Sequence, residues 1–157
     1  MGYTHYWRRK PELDPTRFSA AVKDAEKLVE HLRKKEGYAL QESHDLAAPA
    51  VFADDRVAFN GVEGERYEDF EVPLVYREKF IPPDPDGRLF AFCKTAHRPY
   101  NSAVIACLIV FNHHFGKAFG VSSDGAERGG MAADWRGVAA ACQEVLGYGG
   151  DFKLGEE

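Results

Sequence analysis

The sequence predicts an α+β domain, a single antiparallel or mixed sheet with three helices, one of them central and buried. Three observations carry this reading. A period-two aromatic run opens the chain, with Tyr3, His5 and Trp7 alternating against Thr4, Tyr6 and Arg8, which is strand patterning. Two stripes of helical period follow, one through Phe18, Val22, Ala25, Val29 and Leu32 and one through Trp135, Val138, Cys142 and Val145. Between them, Ala103 to Phe111 is apolar on every side, so that helix needs cover all round and the other two are expected to flank it.

The remaining elements follow from local chemistry. Asp14-Pro15 starts the first helix, aspartate at the cap and proline in the first turn, and Gly37 ends it. From Tyr38 to Gly87 the pattern is of short strands: Val51-Phe52, Val57 to Phe59 and Tyr67 to Val75. Asp54-Asp55 and Asn60-Gly61 read as turns between them, the latter as a hairpin dipeptide. Pro73 implies an edge strand or a strand end, and Ile81 to Gly87 is too rich in proline for regular structure. Leu89 to Cys93 is a strand, Asn101 or Ser102 is expected to cap the buried helix, and Ala118 to Val121 is the last strand. The 157 residues suit one domain, expected over 1–148 with 149–157 a loosely held tail.

The formal net charge is −5, unevenly spread: residues 1–40 carry +3, 41–90 carry −7 and 91–157 carry −1. An acidic total argues against an extensive nucleic-acid surface, while the acidic hairpins around Glu68, Asp69 and Glu71 are candidates to contact a basic protein partner. Cys93, Cys107 and Cys142 lack zinc-ligand spacing and read as buried hydrophobes in a reducing compartment, although Cys93 has Lys94 and His97 nearby and is weighed as a nucleophile. No membrane segment is expected, nor any cofactor or metal, and the expected location is cytoplasmic.

Each helix follows a strand through a short polar segment: Arg8 to Asp14, Lys94 to Arg98, and Ser122 to Asp134. If the three strands run the same way, these segments converge at one end of the sheet. Lys94, Thr95, His97 and Arg98 would then supply donors for a phosphate or carboxylate, with Ser122 and Asp124 alongside. Tyr3, His5 and Trp7 admit two readings: a core face, with His5 buried and hydrogen-bonded, or a stacking surface for a ring. His5 and His97 are the candidate catalytic residues, since imidazole titrates near neutrality. His113-His114 lies near the end of the buried helix, where the dipole favours a protonated ring.

The opening Gly2-Tyr-Thr-His-Tyr-Trp7, with Phe90-Ala-Phe-Cys-Lys-Thr95, Arg98-Pro-Tyr100, Ser122-Ser-Asp-Gly125 and Asp134-Trp135, resembles a group of uncharacterised small phage and bacterial proteins. The matches span most of the chain, so the resemblance implies a shared whole domain and brings no activity with it. Where those proteins usually have Asp after Pro-Tyr, this chain has Asn101, which weakens any carboxylate role at that position. The expected function is binding of a small phosphorylated, nucleotide-like ligand at the junction loops. The alternatives are a phosphoryl- or glycosyl-bond hydrolase or transferase using His5 or His97, and a protein–protein inhibitor module.

Overall fold

The computed structural model describes residues 2–42, 48–77 and 80–155. In chain order the elements are β1 (Thr4–Arg9), α1 (Pro15–Glu36), β2 (Leu40–Gln41), β3 (Val51–Ala53), β4 (Arg56–Gly61), β5 (Phe70–Pro73), β6 (Leu89–Lys94), α2 (Asn101–Phe115), a 3₁₀ turn over Gly116–Ala118, β7 (Phe119–Ser123), β8 (Ala126–Glu127), β9 (Gly130–Met131) and α3 (Ala133–Leu146). The class is α+β as expected, and α2 is the central helix, buried continuously from Asn101 to Phe111. It packs against α1, α3 and β7.

The strands do not form the single sheet expected from the sequence. Among the described residues they form three: β6-β1-β7, a second sheet in which β2, β3 and β5 all pair with β4, and the small β8-β9 hairpin. The division has a local cause. Pro73 closes β5 without an N–H to continue a ladder, so the seam to β1 and β6 is made of single bonds, such as Leu13 N to Leu74 O at 3.3 Å and Glu68 N to Lys94 O at 3.2 Å. Side chains complete the join, with the Trp7 ring 5.4 Å from Phe70 and Phe70 5.1 Å from Phe59.

Helix α1 is bounded as its sequence dictates: the Asp14 side chain accepts from Arg17 N, Pro15 takes the first helical position, and Gly37 adopts a left-handed φ of 78°. Two expectations from the polar residues are corrected. Asn60-Gly61 is no hairpin turn but the end of β4; the β3–β4 turn falls at Asp54-Asp55. The Asn60 amide instead bonds Gly61 N, Tyr67 N, Tyr67 O and Asp69 Oδ1, stapling the loop that leads to β5. Neither Asn101 nor Ser102 caps α2, whose first turn has no side-chain cap at all. Both are buried, and the Asn101 amide has a different task, described below.

Arg9 is wholly buried. Its guanidinium donates to the carbonyls of Lys10, Pro73 and Leu74, tying the end of β1 to the exit of β5. Burial pushes its pKa down to about 10. At the other end of the chain, Phe152 stacks on Trp135 with centroids 5.6 Å apart.

Candidate functional site

β1 runs antiparallel to both β6 and β7, so the expected convergence of three junction segments is met by two. The turn after β6 and the turn after β7 gather around the start of β1. The Arg8 to Asp14 segment leaves at the opposite end, because β1 points the other way.

At that polar end the alternate residues Tyr3, His5, Trp7 and Arg9 face the core. Of the two readings of that face, the buried one holds. Trp7 lies between Phe70 and Phe119, and His5, with no exposed surface, joins a closed polar network. Asn101 Nδ2 donates to Asp134 Oδ2 at 2.9 Å. A carboxylate only accepts, which fixes the amide orientation and turns Asn101 Oδ1 toward His5 Nε2 at 2.7 Å and Thr95 Oγ1 at 2.6 Å. His5 therefore carries its proton on Nε2. Burial lowers its pKa, opposed by the Asn101 bond and the charge of Asp134, so the ring is neutral and Nδ1 is an acceptor. The Ser123 hydroxyl donates to it across 2.7 Å, while Ser123 Oγ accepts from Gly125 N at 2.9 Å and Trp135 Nε1 at 3.2 Å. Tyr3 OH closes the far side on Asp134 Oδ2 at 2.8 Å.

Serine, histidine, asparagine and aspartate thus stand in a relay that resembles the order of a nucleophilic hydrolase. The proton geometry argues for a brace instead. Both lone pairs of Ser123 Oγ and both ring nitrogens of His5 are engaged, and Ser123 is only 8% exposed. Gly125 is part of the same packing: a Cβ there would sit 2.3 Å from Tyr3 Oη and 2.6 Å from Trp135 Cδ1. Asp124 accepts from Thr4 N at 3.0 Å and Tyr6 OH at 3.1 Å, which clasps the first residues of β1. Ser122 lies on the outer face, opposite Tyr6.

The brace supports a strained turn. Ala96 and His97 both have left-handed φ values, 51° and 58°, in a four-residue turn closed by Arg98 N to Thr95 O at 2.9 Å. Asn and Gly are the usual occupants of such positions, and other residues there cost on the order of 1–3 kcal/mol each. The conformation is over-determined by its neighbours: Thr95 N and Ala96 N both donate to Tyr3 O, Thr95 Oγ1 is bound to Asn101, and the His97 ring stacks on Tyr3 at 3.6 Å and 14°. His97 is exposed, with one ring face outward.

This turn sets Lys94 and Arg98 on its two flanks. Lys94 Nζ and the Arg98 guanidinium each lie 5.9 Å from the centre of the Tyr67 ring, which is 43% exposed. Among the described residues neither cation has a carboxylate partner. Of the nearby acids, Glu68 Oε1 accepts the Lys94 backbone N–H at 2.7 Å, Glu71 holds Arg56 at 3.0 Å and Asp69 accepts from Asn60. Tyr67 carried no functional signal in the sequence, because a tyrosine at a strand edge looks like packing.

Two further expectations are settled here. Cys93 is fully buried and its thiol is pushed far above the ordinary range, first by burial and then by the charge of Glu68, so it holds no thiolate. Against the preference of a helix end for a charged ring, burial and then His114 push the His113 pKa down. His114 bonds Asp24 at 2.9 Å. A cavity of about 690 Å³ between the β8–β9 hairpin, α3 and residues 150–154 shares no residue with the polar end, and its arginine, Arg136, already faces Glu127 at 3.9 Å. Among the described residues no group of histidine, cysteine or carboxylate side chains has metal-site geometry, and no helix is long and apolar enough to cross a membrane.

No family model, curated protein or solved structure matches this chain.

Proposed function

We propose that this chain binds a small phosphorylated, nucleotide-like ligand at the Thr95–Arg98 turn. Lys94 and Arg98 hold the phosphate, and the outward ring face of His97 or the edge of Tyr67 meets the base. The observation that carries this reading is the pair of cations beside one exposed ring, neither with a carboxylate partner among the described residues. Two cations beside one ring favour an anion between them, and the arginine fork suits a phosphate. The strained turn adds weight, since backbone strain collects where a ligand is held. Hydrolysis through His5 is the weaker reading, as its ring has no free nitrogen.

The experiment is a thermal-shift series with nucleoside mono- and diphosphates. A ligand present at 100 times its Kd stabilises by about 2.7 kcal/mol, a shift of roughly 5–11 °C for a domain of this size. Lys94→Ala and Arg98→Ala should each abolish the shift and alter unliganded stability by no more than about 0.5 kcal/mol. An equal shift in both variants, or no shift with any nucleotide, contradicts the reading.

A further inference from the structure

The face of the β6-β1-β7 sheet turned away from the core carries a row of aromatic rings. Directly opposed residues share a face. Tyr6 is opposite Phe92, Arg8 is opposite Phe90 and Thr4 is opposite Lys94. Tyr6 and Phe90 lie 5.9 Å apart at 25°, Phe90 and Phe92 5.9 Å apart at 33°. Phe92 is 51% exposed. Cations bound the row at both ends. The Arg8 guanidinium lies 4.8 Å over Phe90, and Arg88 crosses beside Gly120, where a Cβ would meet its Nη1 at 2.9 Å. At the other end stand Lys94 and Arg98 around Tyr67.

The charges at the two ends differ. Asp84 holds Arg8 at 2.8 Å and approaches Arg88 at 4.0 Å, so that end is compensated. Asp124 accepts from Tyr6 OH near the middle of the row. Among the described residues the Lys94 and Arg98 side chains have no ion-pair partner, the Glu68 carboxylate being bonded to the Lys94 backbone N–H, so their end is the place to anchor an anionic ligand. A ligand that satisfies the whole face therefore needs two or three flat rings in succession and a negative group beside them.

We propose that this face binds a short single-stranded nucleic acid, with bases stacked on Phe92, Phe90 and Tyr6 and a backbone phosphate held by Lys94 and Arg98. The proposal rests on the phosphate-binding reading above and extends it from a lone nucleotide to a strand. Side chains two apart on one strand stand roughly 6.6 Å from each other, a spacing open enough for splayed, unstacked bases, and exposed sheet aromatics between cations are how single strands are held without regard to sequence. A duplex hides its base faces and would gain only the phosphate contacts. The occupied patch is small, in keeping with a chain whose net charge of −5 argues against an extensive nucleic-acid surface.

The test is fluorescence anisotropy of the full chain with a labelled dT12 strand, a duplex of the same length, and unlabelled dTMP as competitor, at 50 mM salt. The single strand should bind more tightly than the duplex. Phe92→Ala should weaken dT12 about 5- to 150-fold, the range measured for loss of one stacked base, with its melting curve unchanged. Phe92→Trp should restore binding. The double variant Lys94→Ala/Arg98→Ala should flatten the slope of log affinity against log salt by roughly 0.7 for each lost phosphate contact. Equal affinity for duplex and single strand, or undiminished binding by Phe92→Ala, overturns the proposal. If dT12 fails to bind while dTMP binds in a manner dependent on Lys94 and Arg98, the strand is wrong and the nucleotide reading stands; if neither binds, both fall. Self-association abolished by Phe92→Ala, without dT12 binding, identifies the face as a protein interface and also overturns it.

Discussion

Asn101→Ala removes the centre of the polar network, and the cost can be worked from its bonds. The amide receives the His5 Nε2 proton at 2.7 Å and the Thr95 hydroxyl proton at 2.6 Å, and it donates to Asp134 at 2.9 Å. His5 and Thr95 have no exposed surface, so both donors would be left without partners. Each buried orphan costs about 1–3 kcal/mol, whereas Asp134 is half-exposed and recovers a bond from water. The expected loss is therefore about 2–6 kcal/mol, out of a total that is about 5–15 kcal/mol for a domain. At the centre of that range Tm falls by roughly 8–16 °C. Urea unfolding followed by tryptophan fluorescence is a suitable assay, because Trp135 Nε1 is bonded to Ser123 within the same network. A loss below about 0.5 kcal/mol, typical of a surface change, would refute the claim that the network is closed and satisfied.

Three other outcomes follow from the same geometry. His5 has a lowered pKa, so below about pH 6.5 the unfolded chain binds a proton that the folded chain refuses. Stability should fall as pH drops from 6.5, by up to about 1.4 kcal/mol per pH unit, and urea midpoints between pH 5 and 8 should lose part of that slope in His5→Gln; an unchanged slope contradicts the neutral ring. Gly125→Ala drives a methyl group against Tyr3 Oη and Trp135, and overpacking of this kind costs about 1–3 kcal/mol, readable as a lower thermal midpoint. Arg9→Ala strips bonds from the carbonyls of Lys10, Pro73 and Leu74 and opens a buried hole. With Leu74 O keeping its bond from Leu13 N, two orphaned carbonyls at about 1–3 kcal/mol each put the cost at about 2–6 kcal/mol by urea unfolding, and a neutral result would show that those carbonyls find water.

The helices were legible because their signals are local: Asp14-Pro15 and Gly37 bound α1 through their own backbone preferences, and an all-apolar run can only be central. The alternation of β1 told that two faces existed and named the residues of each. It could not tell which face was covered, because both carry aromatic rings; the core took Tyr3, His5 and Trp7, and water took Tyr6. Strand direction is equally hidden: convergence of all three segments required parallel strands, and β1 runs against both its neighbours. Asn60 and Asn101 look like turn and cap residues by local propensity, yet Asn60 staples the loop as far as Asp69 and Asn101 reaches Asp134. Lys94, Thr95, His97 and Arg98 were found together because they are contiguous. Tyr67 was missed because it joins them only in space.

The central claim, that phosphate is held between Lys94 and Arg98 at the Tyr67 ring, is tested most directly by an NMR titration of the ¹⁵N-labelled chain with a nucleoside diphosphate. Saturable amide shifts should centre on Lys94 to Arg98 and Tyr67, leave Met131 and Phe152 at the cavity beside the β8–β9 hairpin unmoved, and vanish in the Arg98→Ala chain. Shifts centred on Met131 and Phe152, or a titration indifferent to Arg98→Ala, would contradict it.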